Sequence, residues 1–139
     1  MSEKDVFPER TTMTFASLCS SNELLMNVEG QFFVYDEMSM MVAVKLTFEI
    51  AVVLLSAMND DTMNVEFGGV FTNLDQHEVR PLTSLSPWKN AMSRPLAWAW
   101  RMTNQQGYFD GLQLDFAEST EVEASRIQLL VVASEIKSR

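Results

Sequence analysis

The residues alone predict an α+β fold: a mainly antiparallel, strongly bent sheet of about six or seven strands carrying one or two short helices. Three observations lead to it. The stretch Pro95 to Phe116, PLAWAWRMTNQQGYFDGLQLDF, sets Leu96, Trp98, Trp100 and Met102 on alternate positions, then Asn104-Gln105-Gln106-Gly107, then Leu112, Leu114 and Phe116 on alternate positions again. Side chains on a strand alternate between faces, and Asn and Gly tolerate the positive φ of a tight reversal, so this reads as a β-hairpin with its bulky groups turned inward. The second observation is a series of alternating runs between Met38 and Phe67 at the spacing of a meander. The third is Ser86-Pro87, an N-cap hydroxyl followed by proline, which has the form of a helix start.

Taken in order, Met1 to Thr12 is charged, contains Pro8 and has no hydrophobic period, so residues 1–12 are expected to form a loosely ordered tail on a single domain of residues 1–139. Met13 to Val28 is ambiguous: Phe15, Leu18, Leu24 and Leu25 can be fitted to a helix, and Ser21 or Asn22 could cap a short one beginning at Glu23. From Gly30 the β signal strengthens through Phe32, Phe33, Val34 and Tyr35, closing at Asp36-Glu37. Met38 to Phe48 then puts Val42, Val44, Leu46 and Phe48 on one face and Ala43, Lys45 and Thr47 on the other. Ile50 to Ala57 is an apolar block in which Val52-Val53 and the short length favour a strand over a buried helix. Glu49-Ile50 lacks turn chemistry, so a bent or bulged connection is expected there.

Asn59-Asp60-Asp61 supplies a turn, Met63, Val65 and Phe67 alternate, and Gly68-Gly69 breaks the run. Between Val70 and Arg94 the pattern dissolves, apart from a short helix expected from Ser86-Pro87 to Met92 with Trp88 and Met92 on one face. After the hairpin, Ala117 to Ala124 reads as an acidic loop, and RIQLLVVASEI, Arg126 to Ile136, as the last strand with Ile127, Leu129, Val131 and Ala133 on one face.

Composition narrows the function. A chain of 139 residues with 47% hydrophobic and 21% charged residues can bury one sizeable core. The formal charge of -9 repels the phosphate backbone and argues against nucleic acid as a partner, while favouring a basic protein partner or simple solubility. The lone Cys19 cannot form an internal disulfide, and MSEKDVFPER lacks the basic start and apolar stretch of a signal peptide, so a cytoplasmic protein is expected. Ile50 to Met58 falls far short of the ~20 residues that cross a bilayer, so no membrane role is expected.

The pattern Trp98-x-Trp100-x-Met102-x-Asn104-Gln105-Gln106-Gly107-Tyr108-x-Asp110-Gly111-x-Gln113-x-x-Phe116 resembles a family of small bacterial proteins classed only as a domain of unknown function. Leu46-x-Phe48, Asp60-Asp61-Thr62 and the closing Ile127-Gln128-Leu129 with Ala133-Ser134 are similar to it as well, so the resemblance runs roughly from Val34 to Ile136, with Glu49-Ile50 departing from the family's more turn-like residues. It implies a bacterial cytosolic protein with no known activity, and no catalytic residue is carried over from it.

The densest set of polar and aromatic side chains is Trp98, Trp100, Asn104, Gln105, Gln106, Tyr108, Asp110 and Gln113. Aromatic faces beside fixed amides suit a sugar, a nucleobase or a peptide edge. The competing reading is structural: Asn104 and Gly107 shape the turn, Asp110 caps backbone donors, and the tryptophans pack the core. His77, beside Asp75, Gln76 and Glu78, has no partner spaced for a metal or a general base, and Asp36-Glu37 with Asp60-Asp61 lacks calcium-loop spacing. Met38, Met40 and Met41 would make an adaptable contact surface if exposed and fill core gaps if not.

No phosphate-binding glycine loop, nucleophile elbow or paired-cysteine metal motif occurs, so no cofactor, metal ligand or catalytic residue is assigned. The residues therefore favour a non-catalytic small protein-binding module, an acidic inhibitor or immunity-type protein, with homodimerisation compatible. The alternative is a small-ligand-binding protein or unrecognised enzyme that uses the 96–116 hairpin.

Overall fold

The computed structural model describes residues 13–118 and 124–139. The tail expected over residues 1–12 and most of the acidic loop after Ala117 lie outside the described residues. The expected single bent sheet is instead two antiparallel sheets, one of five strands built from the first part of the chain and one of four built from the last.

The chain enters through a helix, α1, Phe15–Ser21. Its Thr14 N-cap accepts from the Ser17 amide while the Ser17 hydroxyl accepts from the Thr14 amide, a reciprocal arrangement that satisfies two donors at the helix start. Asn22, expected as an N-cap, is the C-cap in the left-handed region at φ 60°, so the helix ends where the sequence suggested one would begin. Leu18 is its buried anchor, and Phe15 meets Phe67 edge-on at 5.2 Å.

The first sheet starts with β1 (Leu25–Tyr35) and β2 (Met38–Phe48), joined by the two residues Asp36-Glu37 with Asp36 at φ 58°. Gln31 pairs with Ala43 and Phe32 with Met41, so Val42 is an extra residue in the ladder. This bulge shifts the phase of β2: Met41 and Val44 enter the core, and Val42, expected inside, is only half-buried. Strands β3 (Val52–Ala57) and β4 (Met63–Phe67) complete the predicted meander. Between them Asp60 Oδ1 accepts from both the hydroxyl and the amide of Thr62, which holds its carboxyl below the usual carboxylate range.

The reversal at Glu49-Ile50 is a tight two-residue one, closed by the Phe48 amide donating to the Ala51 carbonyl at 2.8 Å, contrary to the expected bent connection, and its chemistry comes from elsewhere in the chain. Glu23 Oε1 accepts from the amides of Ile50, at 2.7 Å, and Ala51, at 2.9 Å. Glu49 Oε1 in return accepts from the Leu24 amide at 3.0 Å. Two carboxylates thus exchange backbone caps across the junction of α1, β1 and the β2–β3 turn.

A fifth strand, β5 (His77–Pro81), pairs antiparallel with β1 in the stretch expected to be loop. Because β4 and β5 occupy opposite edges, residues 68–76 must run across the outer side of the first sheet. Gln31, 7% exposed, donates to the Thr72 carbonyl at 2.6 Å beneath this strap, and the Lys45 ammonium lies 5.3 Å from the Phe71 ring. One face of the first sheet is therefore covered by core and the other partly by its own chain.

The helix expected from Ser86-Pro87 to Met92 is a single 3-10 turn, Trp88–Asn90, without a side-chain N-cap, and it plugs the core with Trp88. The second sheet follows as a meander: β6 (Leu96–Thr103), β7 (Phe109–Phe116), β8 (Ser125–Val132) and β9 (Glu135–Ser138). The last strand expected over Arg126 to Ile136 is a hairpin, with Ala133 and Ser134 turning at φ 53° and 65°. Positive φ at both central residues is the turn that matches strand twist, and the Asp61 carboxylate fixes it by accepting from the Ser134 amide at 2.7 Å.

The two sheets share one apolar core. Val44, Leu46, Phe48 and Leu55 of the first face Leu112, Leu114, Phe116 and Ile127 of the second, with the rings of Phe48 and Phe116 stacked 6.4 Å apart. Each such side chain contributes about 1.5–3 kcal/mol through burial, which makes this layer the main source of stability.

Candidate functional site

The 96–116 hairpin forms, but its tryptophans point the other way from the sequence expectation. Leu96 pairs with Phe116 and Trp98 with Asp115, leaving Ala97 as an extra residue. One inserted residue turns over every side chain that follows. Leu96 is buried at 1% exposure, whereas Trp98 and Trp100 are 62% and 42% exposed on the outer face of the second sheet. The two indoles stack against each other at 6.2 Å.

Register then assembles the rest of this face. Trp98, Asp115 and Arg126 lie in one row across β6, β7 and β8, and Trp100, Gln113 and Gln128 in the next. Arg126 donates through Nε and one terminal nitrogen to the two oxygens of Asp115, both at 3.0 Å, and its guanidinium lies 5.9 Å from the centre of the Trp100 ring. Gln128 donates to the Gln113 carbonyl oxygen at 2.8 Å. In the third row Gly111 lets Met102 and Leu130 meet above it, since a Cβ there would sit 2.8 Å from a Leu130 methyl and 3.0 Å from the Met102 methyl.

The remaining sequence candidates sit at the hairpin tip and away from this face's centre. Asn104 is a turn builder: its Oδ1 accepts from the amides of Gln106 and Tyr108, and its carbonyl accepts from the Gly107 amide, with Gly107 at φ 88°. The reversal therefore runs from Asn104 to Tyr108, one residue longer than expected, and closes through a left-handed glycine. Tyr108 is exposed, and Asp110 is the extra, half-buried residue of a second bulge opposite Met102 and Thr103. Of the six candidates, Trp98, Trp100 and Gln113 are brought together, and Asn104, Tyr108 and Asp110 are not. Asp115, Arg126 and Gln128 complete the face without having been singled out in the sequence, although Gln113 and Asp115 alternate in phase with Gln128 and Arg126.

A cleft of about 500 Å³ opens beside Trp98, lined also by Cys19, Asn22, Asp115 and Glu118. A second depression of about 470 Å³ lies between α1 and β6, with Phe15, Cys19, Ala97 and Trp98 in its wall. Cys19 belongs to both, and burial pushes its thiol up from the ordinary value. A raised thiol pKa leaves little thiolate at neutral pH. Alkylation of Cys19 by iodoacetamide at pH 8 is therefore expected to run several-fold slower than that of glutathione, measured by mass spectrometry.

Other candidates resolve into structure. His77 packs on Phe33 at 5.3 Å with Nδ1 2.9 Å from the Asp75 carbonyl oxygen. Met38 is exposed, Met40 half-buried and Met41 buried, so the three share no surface. Among the described residues no group of three His, Cys, Asp or Glu side chains is placed to hold a metal ion, and no helix is long and apolar enough to cross a membrane.

Fold and surface together define a two-sheet antiparallel β protein with an exposed tryptophan pair on the outer face of its second sheet. The chain belongs to DUF6334, a family of unknown function whose family model matches residues 10–139, a longer span than the Val34 to Ile136 of the sequence resemblance. No curated protein and no solved structure matches it.

Proposed function

We propose that this chain is a non-catalytic protein-binding module of the cytoplasm, of the acidic inhibitor or immunity type, and that it meets its partner with the outer face of the second sheet. The observation that carries this reading is the stacked pair Trp98 and Trp100, left 62% and 42% exposed beside hydrogen-bonded rows of polar side chains. Tryptophan and arginine are the side chains most enriched where binding energy concentrates, and here an exposed indole pair lies beside Arg126. The charge of -9 supports a basic partner over nucleic acid.

The test is affinity capture with the wild-type chain and with the double variant Trp98→Ala/Trp100→Ala at low and high salt. A protein retained by the wild type, released by salt and weakened at least about a hundredfold by the double variant is the expected result, since central aromatic contacts each cost about 2 kcal/mol or more. Equal retention by both chains would sink the reading.

The alternative, a small-ligand protein or unrecognised enzyme, draws support from the cleft beside Trp98. Neither Tyr108 nor Asp110 is among the residues that line this cleft, so that reading would rest on Trp98 and Asp115. Homodimerisation is compatible with either reading, and sedimentation of the free chain tests it.

A further inference from the structure

The second sheet carries its own example of how its outer face holds a cation. The Arg126 guanidinium lies over the Trp100 ring at 5.9 Å while two of its nitrogens reach the Asp115 carboxylate at 3.0 Å. A planar guanidinium can satisfy both demands at once, stacking on a π-face and forking onto an acid, in a way an ammonium cannot. One row along, Trp98 presents the same kind of ring, more exposed, and among the described residues no cation lies over it. The cleft that it lines also holds Glu118.

Two ion pairs among the described residues cancel charge within this face. Arg126 pairs with Asp115, and Lys137 with Glu135 at 3.2 Å. Glu118, exposed at the rim of the cleft, has no cationic partner among the described residues, in a chain whose net charge is -9.

The geometry points to the cleft beside Trp98 as the seat of an arginine side chain presented by a basic protein partner, with its guanidinium over the Trp98 ring and facing the Glu118 carboxylate. This rests on the protein-binding reading and gives that reading its chemistry. The resident Arg126 and the incoming arginine would sit side by side on the two stacked indoles, each with its own carboxylate.

The probe is the peptide acetyl-Gly-Arg-Gly-amide, titrated into the ¹⁵N-labelled full chain, with the isosteric citrulline peptide and the lysine peptide as controls. The three indole N–H signals, assigned with Trp98→Phe and Trp100→Phe, report on Trp88, Trp98 and Trp100 separately. Arginine peptide should shift the Trp98 indole saturably and bind about tenfold more tightly than the citrulline peptide, with Trp88 unmoved. Glu118→Gln should weaken it about threefold and Trp98→Ala about tenfold, and an unchanged Trp88 signal in each variant certifies the fold.

Equal binding of the citrulline or lysine peptide, or no saturable shift at tens of millimolar, would overturn the assignment. A partner captured through the Trp98 and Trp100 face and released by salt, but whose binding ignores Glu118→Gln, would also overturn it, with the protein-binding reading left standing. Loss of that reading shows separately, as capture indifferent to the double tryptophan variant.

Discussion

Phe116→Ala is expected to destabilise the chain by about 4 kcal/mol, the usual cost of removing a fully buried phenylalanine from a packed layer. Phe116 is completely buried, stacks on Phe48 of the opposite sheet and ends the strand that carries Asp115, so its loss opens a cavity at the place where the two sheets touch. For a domain of this size the midpoint of thermal unfolding should fall by roughly 14 °C, measured by circular dichroism. Phe116→Leu, which keeps most of the volume, should recover more than half of the loss. A shift below about 3 °C for the alanine variant would mean that this contact does not join the sheets. The double variant Trp98→Ala/Trp100→Ala makes the contrast: both rings lie on the outer face, so losing their mutual stacking and the Arg126 contact should cost about 1–2 kcal/mol, at most half of the Phe116→Ala loss, while partner binding is lost.

The second large effect is expected at Glu23. Its carboxylate caps the amides of Ile50 and Ala51, two donors in a reversal that has no glycine, asparagine or proline of its own. Hydrogen bonds to a charged acceptor are worth more than neutral ones, and at a half-exposed site the pair should be worth about 2 kcal/mol together. Glu23→Ala should therefore lower the unfolding midpoint by roughly 7 °C, and Glu23→Gln, which keeps an accepting oxygen without the charge, by about half of that. If the glutamine variant is as damaged as the alanine one, the charge matters and the hydrogen bonds alone do not suffice.

These two residues also mark where the sequence is readable and where it is not. Met38 to Phe48 could be bounded closely because Asp36-Glu37 supplies a turn beside an alternating run, and β3 and β4 followed from β-branched residues and an Asx turn. The Glu49-Ile50 reversal resisted, because its capping group lies 27 residues away from Ile50 in the chain. β5 was missed since His77, Glu78, Arg80 and Pro81 carry the charges and proline that suit an unpartnered sheet edge, and in a sequence these look like a loop. α1 was displaced because a seven-residue helix offers too few turns for its periodicity to show.

The candidate face failed in a more specific way. Residues 96 to 116 were rightly paired as a hairpin, yet strict alternation from Leu96 assigned both indoles to the interior. A bulge at alanine leaves no chemical mark, unlike one that needs glycine, so nothing in Leu96-Ala97-Trp98 announces the change of phase. A second bulge at Val42 misled the reading of β2 in the same manner. The outer face became legible only once register placed Gln113 against Gln128 and Asp115 against Arg126.

That inserted alanine has an evolutionary corollary. Leu96 and Trp98 stand two positions apart, yet one answers to the interior and the other to whatever meets the molecule from outside. Descendants of such a chain are free to trade the rings at 98 and 100 for other groups, and so to change allegiance between partners, while the scaffold beneath stays as it was.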